Sequence, residues 1–151
     1  MVPPIFDLAS GADALTSALA VQSDGKLLVA GELRNPGLPP FGDHSAAFLT
    51  RFLADGQVDT TFGNQGTVLV EEAFVNYVAR ALVLQPDGKV VIAGTYQTIA
   101  SDDAYFIVAR FHPNGAPDTG FGGSNTHIRY LNFGDGADVA TALALAPDGK
   151  L

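Results

Sequence analysis

Hydrophobic and polar positions alternate in short runs along this chain, and Asp-Gly or Asn-Gly pairs cut the runs at regular intervals. Residues 79–85 place Leu82 and Leu84 on one face and Val83 on the other, a period of two that predicts a strand. The same columns recur as Leu19 and Val21 around Ala20, and as Leu143 and Leu145 around Ala144. Taken alone, the Ala- and Leu-rich first and third copies would also suit a helix. Val78 and Val83 in the middle copy favour a strand, with small residues on its second face so that both sides can be packed.

A turn follows each copy. In Gln85-Pro86-Asp87-Gly88-Lys89, proline presets the first turn position and glycine takes the positive φ that closes a type I turn plus bulge. Gln22-Ser23-Asp24-Gly25-Lys26 and Ala146-Pro147-Asp148-Gly149-Lys150 repeat it, and Leu53 to Gln57 and His112 to Ala116 carry related turns. The second strand is then expected at 89–94, a β-branched run stopping at Gly94 as its counterpart stops at Gly31. The third is expected at 105–111, and the fourth at 126–133 (67–72 in the earlier copy).

These features define a tandem repeat. The three Asp-Gly-Lys triplets start at Asp24, Asp87 and Asp148, spacings of 63 and 61. A second series keeps a spacing of 59: Arg51-Phe52 to Arg110-Phe111, and Asp59-Thr60-Thr61-Phe62-Gly63 to Asp118-Thr119-Gly120-Phe121-Gly122. The four-residue difference falls between Gly31 and Arg51, in the loop holding Asn35 to Pro40. Four antiparallel strands per unit, apolar on both faces, describe an all-β chain: a β-propeller-like array of four-stranded antiparallel blades. Each blade buries both faces only against neighbours. A β-sandwich is the alternative, and a parallel β-helix is disfavoured because its coils are shorter and lack reverse hairpins.

About two complete repeats are expected, with partial units at both ends. Residues 1–13 read as the tail strand of a preceding blade, 14–76 as repeat 1, 77–137 as repeat 2 and 138–151 as the start of a truncated repeat 3. Two full units fall short of a closed ring of about 4–8 blades. An excerpt of a longer frame is therefore expected, assembly of several chains into a ring less so.

Composition sharpens the picture in three places. Charged residues make up 16% of the chain against 47% hydrophobic, which argues against disorder. The net charge of −8 disfavours nucleic acid as a partner. No cysteine is present, so disulfides, thiolate zinc sites and a Cys nucleophile are excluded, and no apolar run approaches a membrane helix. No membrane insertion is expected.

Candidate chemistry is sparse. The repeated Asp59 and Asp118 invite a cation reading, but an Asx turn with Phe62 or Phe121 as anchor, closed by Gly63 or Gly122, is the plainer one. Arg51 and Arg110 are expected to pair with a carboxylate or loop carbonyls between blades. Asp102-Asp103 and the acidic loop from Asp135 to Asp138 are weak calcium candidates. His44, His112 and His127 do not recur and read as surface or turn residues. Glu71-Glu72 is no glycosidase pair, since neighbours on a strand face opposite ways. No catalytic, cofactor-binding or metal residue is assigned, and no cofactor is expected. The loops at 32–45 and 95–104 are the free surface, with Phe41, His44, Tyr96, Asp102 and Asp103 as possible ligand-facing residues.

Residues 81–94, Ala109-Arg110-Phe111, Asn114-Gly115 and Asp118 to Gly122 together resemble the bacterial delta-60 repeat, a β-propeller-type tandem repeat of unknown function. The first copy matches nearly as well. The resemblance implies a secreted or cell-surface bacterial protein with many units and brings no catalytic residue. It leads to the expectation of a non-enzymatic module acting as a scaffold or adhesion surface. Its partners would be adjacent blades of the same protein, and a cell-surface protein or glycan. The rival expectation is a glycan-binding or hydrolytic propeller whose site lies on blades outside this chain.

Overall fold

The computed structural model describes residues 13–34, 44–72, 74–100, 103–123, 125–134 and 136–151. They form two four-stranded antiparallel sheets, with no helix among the described residues. The first sheet runs in order β1 (Asp13–Val21), β2 (Leu27–Arg34), β3 (Ser45–Phe52) and β4 (Thr67–Val70). The second repeats it with β5 (Val75–Leu84), β6 (Val90–Thr98), β7 (Ala104–Phe111) and β8 (Ile128–Leu131). The anticipated tail strand at 2–8 and the loop at 35–43 lie outside the described residues.

All five glycine turns form in the same way. Gly25, Gly88 and Gly149 sit at φ of 83°, 80° and 83°, and Gly56 and Gly115 at 85° and 86°. In each turn the glycine N–H donates to the carbonyl three residues back, and a second bond closes the hairpin, as from Gln85 N–H to the Lys89 carbonyl at 2.9 Å. The Asp or Asn before the glycine accepts the N–H two residues on, at 3.3 Å for Asp24, 3.2 Å for Asp87 and 3.0 Å for Asn114. The turn chemistry of the sequence therefore supplies its own hydrogen bonds.

The inner strands are apolar on both faces. Leu28 and Ala30 of β2, Ala47 and Leu49 of β3, Val90 and Ile92 of β6, and Ile107, Ala109 and Phe111 of β7 enter one core shared by the two sheets. Their alternates divide between two outer cores. Val29, Leu33, Ala46 and Phe48 lie on the far side of the first sheet. Val91, Ala93 and Val108 lie on the far side of the second. Each buried Leu, Val or Ile contributes ~1.5–3 kcal/mol, so neither sheet holds its full stability without cover on both sides.

The third copy behaves differently from its expected strand. Residues 138–146 pair with no strand; the segment instead lays Ala140 and Leu143 on the outer face of the second sheet, where Val83 and Phe106 also pack. The Asp138 N–H donates to the Ala104 carbonyl at 2.8 Å. The first strands also differ. Leu82 and Leu84 of β5 pack on the shared core, whereas Leu19 and Val21 of β1 are 64% and 66% exposed among the described residues. Their columns match, but β5 turns these residues toward a sheet and β1 turns them away from one.

The second strands do not stop at glycine. They continue to Arg34 and Thr98. The glycine instead marks a bulge in the strand opposite: register shifts between Thr16 and Ala18 across from Gly31, and between Ala79 and Ala81 across from Gly94. The bulge swings a backbone carbonyl inward. A Cβ on Gly31 would lie 2.0 Å from the Leu15 carbonyl oxygen, and one on Gly94 would lie 1.8 Å from that of Val78.

Candidate functional site

The residues that recur along the sequence converge on one cluster per sheet. Arg51, near the end of β3, donates from Nε to Asp59 Oδ2 at 2.9 Å. Lys26, from the first hairpin turn, lies 3.4 Å from that same oxygen and 3.5 Å from Asp24. The Arg51 guanidinium sits 4.6 Å above the Phe62 ring. The second sheet repeats each contact: Arg110 to Asp118 at 2.8 Å, Lys89 to Asp118 at 3.4 Å and to Asp87 at 3.3 Å, and Arg110 at 4.4 Å over Phe121. Asp24, Lys26, Arg51, Asp59 and Phe62, scattered across 39 positions of sequence, are thus one assembly.

The assembly also joins the sheets. Arg51 Nη1 donates to the Pro113 carbonyl of the second sheet at 2.6 Å, and the Gly63 N–H donates to the Asn114 carbonyl at 2.9 Å. The turn at 112–116 therefore docks on the first cluster. The covered Arg51 side chain is 8% exposed and Arg110 is 22% exposed. The third turn carries only the lysine half. There Lys150 folds back on Asp148 at 2.7 Å, 83% exposed, in a pair that contributes little.

The two aspartates are held differently. Asp59 Oδ1 accepts both the N–H and the hydroxyl of Thr61, at 3.1 and 2.6 Å. The Thr61 hydroxyl is the main reason its carboxyl drops to about 2; burial opposes this, while the Thr61 N–H, Arg51 and Lys26 assist. Burial pushes Asp118 upward, but Arg110 and Lys89 outweigh it and its carboxyl also lies below the ordinary range. The difference is Gly120, which stands where Thr61 stands and offers only its N–H, at 3.3 Å.

A Cβ on Gly120 would meet only Asp118 Oδ1, at an ordinary 3.6 Å. Gly120→Thr is therefore expected to raise stability by about 1–2 kcal/mol, through a less flexible unfolded chain and a second bond to a charged acceptor. A urea midpoint that fails to rise would count against this transfer from the first cluster to the second.

The residues assigned to free loops need correction. Tyr96 lies within β6, half-buried, because that strand runs past Gly94. His44 is buried at 6% exposure, its ring 6.2 Å from Phe74, at the seam with the second sheet. His127 is also half-buried, against Phe111, and only His112 keeps the expected turn position. Glu32 belongs to β2 and pairs with Arg34 at 3.1 Å. Asp103 is exposed just before β7, while Phe41 and Asp102 lie outside the described residues. Among the described residues no three His, Cys, Asp or Glu side chains gather as a metal site.

Sequence reasoning missed a second grouping. All four tyrosines of the chain, Tyr77, Tyr96, Tyr105 and Tyr130, come together on the second sheet. They stand on β5, β6, β7 and β8 at positions with no common motif. Only the cross-strand register, Tyr77 opposite Tyr96 and Tyr96 opposite Tyr105, brings them side by side.

The repeated turn, the paired sheets and the charged cluster coincide with a described family. The profile of a β-propeller domain of unknown function (DUF5122) matches residues 22–62 and 85–121. The chain belongs to this family. The two matched stretches of the DUF5122 profile span the same part of each unit, from the residue before the Asp-Gly turn to the Asp-Thr-x-Phe loop. They contain every member of both charged clusters. No functionally curated protein matches the chain.

Proposed function

We propose that this DUF5122 chain is a non-enzymatic module of the delta-60 type, in which each four-stranded sheet serves as one blade of a longer array in a bacterial exported or surface protein. One observation carries the reading: the charged residues that recur in every complete unit are engaged in holding that unit together. Arg51, Asp59 and Lys26 satisfy one another, and the spare Arg51 donor goes to the neighbouring sheet's backbone. Repeated chemistry is thus frame chemistry, and recognition falls to what differs between units, in keeping with the division of labour in tandem repeats.

The test is where the parent protein resides and what it does there. An epitope on this module is expected to be removed when intact producing cells are treated with protease, and recovery of a protected, wholly cytoplasmic epitope would overturn the reading. Release of reducing ends from a polysaccharide panel by the purified parent protein, abolished by changes elsewhere in its chain, would instead favour a hydrolytic propeller with its site on other units.

A further inference from the structure

We propose that the tyrosine cluster on the second sheet is a binding site for a quaternary ammonium group. Tyr96 is its centre: Tyr105 and Tyr130 meet it at steep angles of 61° and 77°, with ring centroids 5.8 and 5.1 Å away. Tyr77 closes the inner side at 5.3 Å and 68°. Tyr96, Tyr105 and Tyr130, with Thr98, line an open cavity of about 330 Å³. Tyr130 is 47% exposed, so the site opens to solvent.

The chemistry of the lining selects the ligand. Ring faces attract a cation through their quadrupole, and trimethylammonium suits them because it carries charge with no hydrogen-bonding need. Besides the rings, the described lining carries their phenol hydroxyls, with that of Tyr130 engaged by Tyr77, and one aliphatic hydroxyl, on Thr98; it has no Lys, Arg or His to repel a cation. A sugar ring would ask for several directed donors and acceptors. The electrostatic setting agrees. Tyr77 donates its hydroxyl to Glu72 Oε2 at 3.2 Å, which leaves Tyr130 to donate to the Tyr77 oxygen at 3.1 Å. The carboxylate thereby feeds electron density through two phenols toward the cavity wall. Burial, followed by the nearby Glu72, Tyr130 and Tyr105, raises the Tyr96 phenol. The whole chain carries a net charge of −8, which favours the approach of cations over anions at low ionic strength.

The protein contains no tryptophan, so its intrinsic emission comes from these four tyrosines and reports the site directly. Titration with choline at fixed ionic strength is expected to change that emission saturably, with half-saturation in the millimolar range. The neutral isostere 3,3-dimethyl-1-butanol is expected to leave it unchanged. Tyr130→Phe keeps the ring face but loses the hydroxyl link to Tyr77, so it should keep a saturable response weakened only severalfold, like Glu72→Gln. Tyr130→Leu, by contrast, should raise the half-saturation concentration about tenfold or more. Glu72→Gln should weaken binding severalfold while the fold, checked by circular dichroism, stays intact. An equal response to the neutral isostere, a response to glucose in place of choline, or no saturation below about 100 mM would each overturn the proposal.

Discussion

Gly94→Ala is expected to destabilise the chain by about 3 kcal/mol or more, a larger loss than its one added methyl suggests. The added Cβ would sit 1.8 Å from the Val78 carbonyl oxygen and 3.1 Å from the Ala79 Cα, both backbone. No rotamer change relieves a clash with backbone. Either the β5 bulge must straighten or β5 and β6 must separate, which disturbs the pairing that places Leu82 opposite Ile92 in the shared core. Gly31→Ala is expected to act in the same way through Leu15. The informative control is Gly56→Ala: its Cβ has open space and only its positive φ costs, so about 1 kcal/mol is expected. Urea midpoints measure the contrast, and equal losses at Gly94 and Gly56 would refute the bulge account.

That glycine shows what the sequence makes legible and what it hides. The β-branched run ending in Ala-Gly marks a strand correctly, because alternation and turn chemistry are local. The glycine looked like a stop because nothing local distinguishes a strand end from a position pressed by a bulge in another strand. The same boundary hides Tyr96, which a strand ending at Gly94 puts in a loop and the structure puts in β6. His44 was misplaced for a related reason: its burial comes from the second sheet, tens of residues away in sequence.

The charged cluster was half legible. Fixed spacing of Asp59 and Asp118 points to an Asx turn, and that of Arg51 and Arg110 to a structural role with a carboxylate or loop carbonyls between blades. Both features appear, the carboxylate within the sheet and the carbonyl of Pro113 across the seam. The lysine of each Asp-Gly-Lys was not legible as a partner, since its motif explains itself as a turn. Only the fold carries Lys26 and Lys89 onto aspartates more than 25 positions later. Of the tyrosines only Tyr96 stands out in the sequence, as a loop residue; their grouping carries no signal, as each belongs to a different strand and recurs in no unit.

Asp59→Asn is expected to cost about 3 kcal/mol at neutral pH and to remove part of the chain's acid sensitivity. The substitution keeps shape and keeps an oxygen for the Thr61 bonds, so it isolates charge. Arg51 then loses its carboxylate partner while Lys26 keeps Asp24 at 3.5 Å, and Arg51, at 8% exposure beneath the Pro113 carbonyl, has little room to escape. Breaking a buried pair from one side typically costs ~3–5 kcal/mol, and Lys26, 30% exposed, can swing outward and hold the loss to the lower end. The pH sign follows from the depressed carboxyl. Asp59 titrates near 3.8 when unfolded and at about 2 when folded, so its contribution is present above about 4 and is lost as pH falls toward about 2. The size of that contribution is about 2 kcal/mol. Asp118, also depressed, acts in the same direction in the second sheet. Unfolding midpoints of Asp59→Asn should therefore fall less steeply than those of the parent between about pH 4 and 2, with a residual slope owed partly to Asp118. Parallel acid limbs in the two proteins would mean that Asp59 is not held by Thr61, Arg51 and Lys26 as the geometry has it.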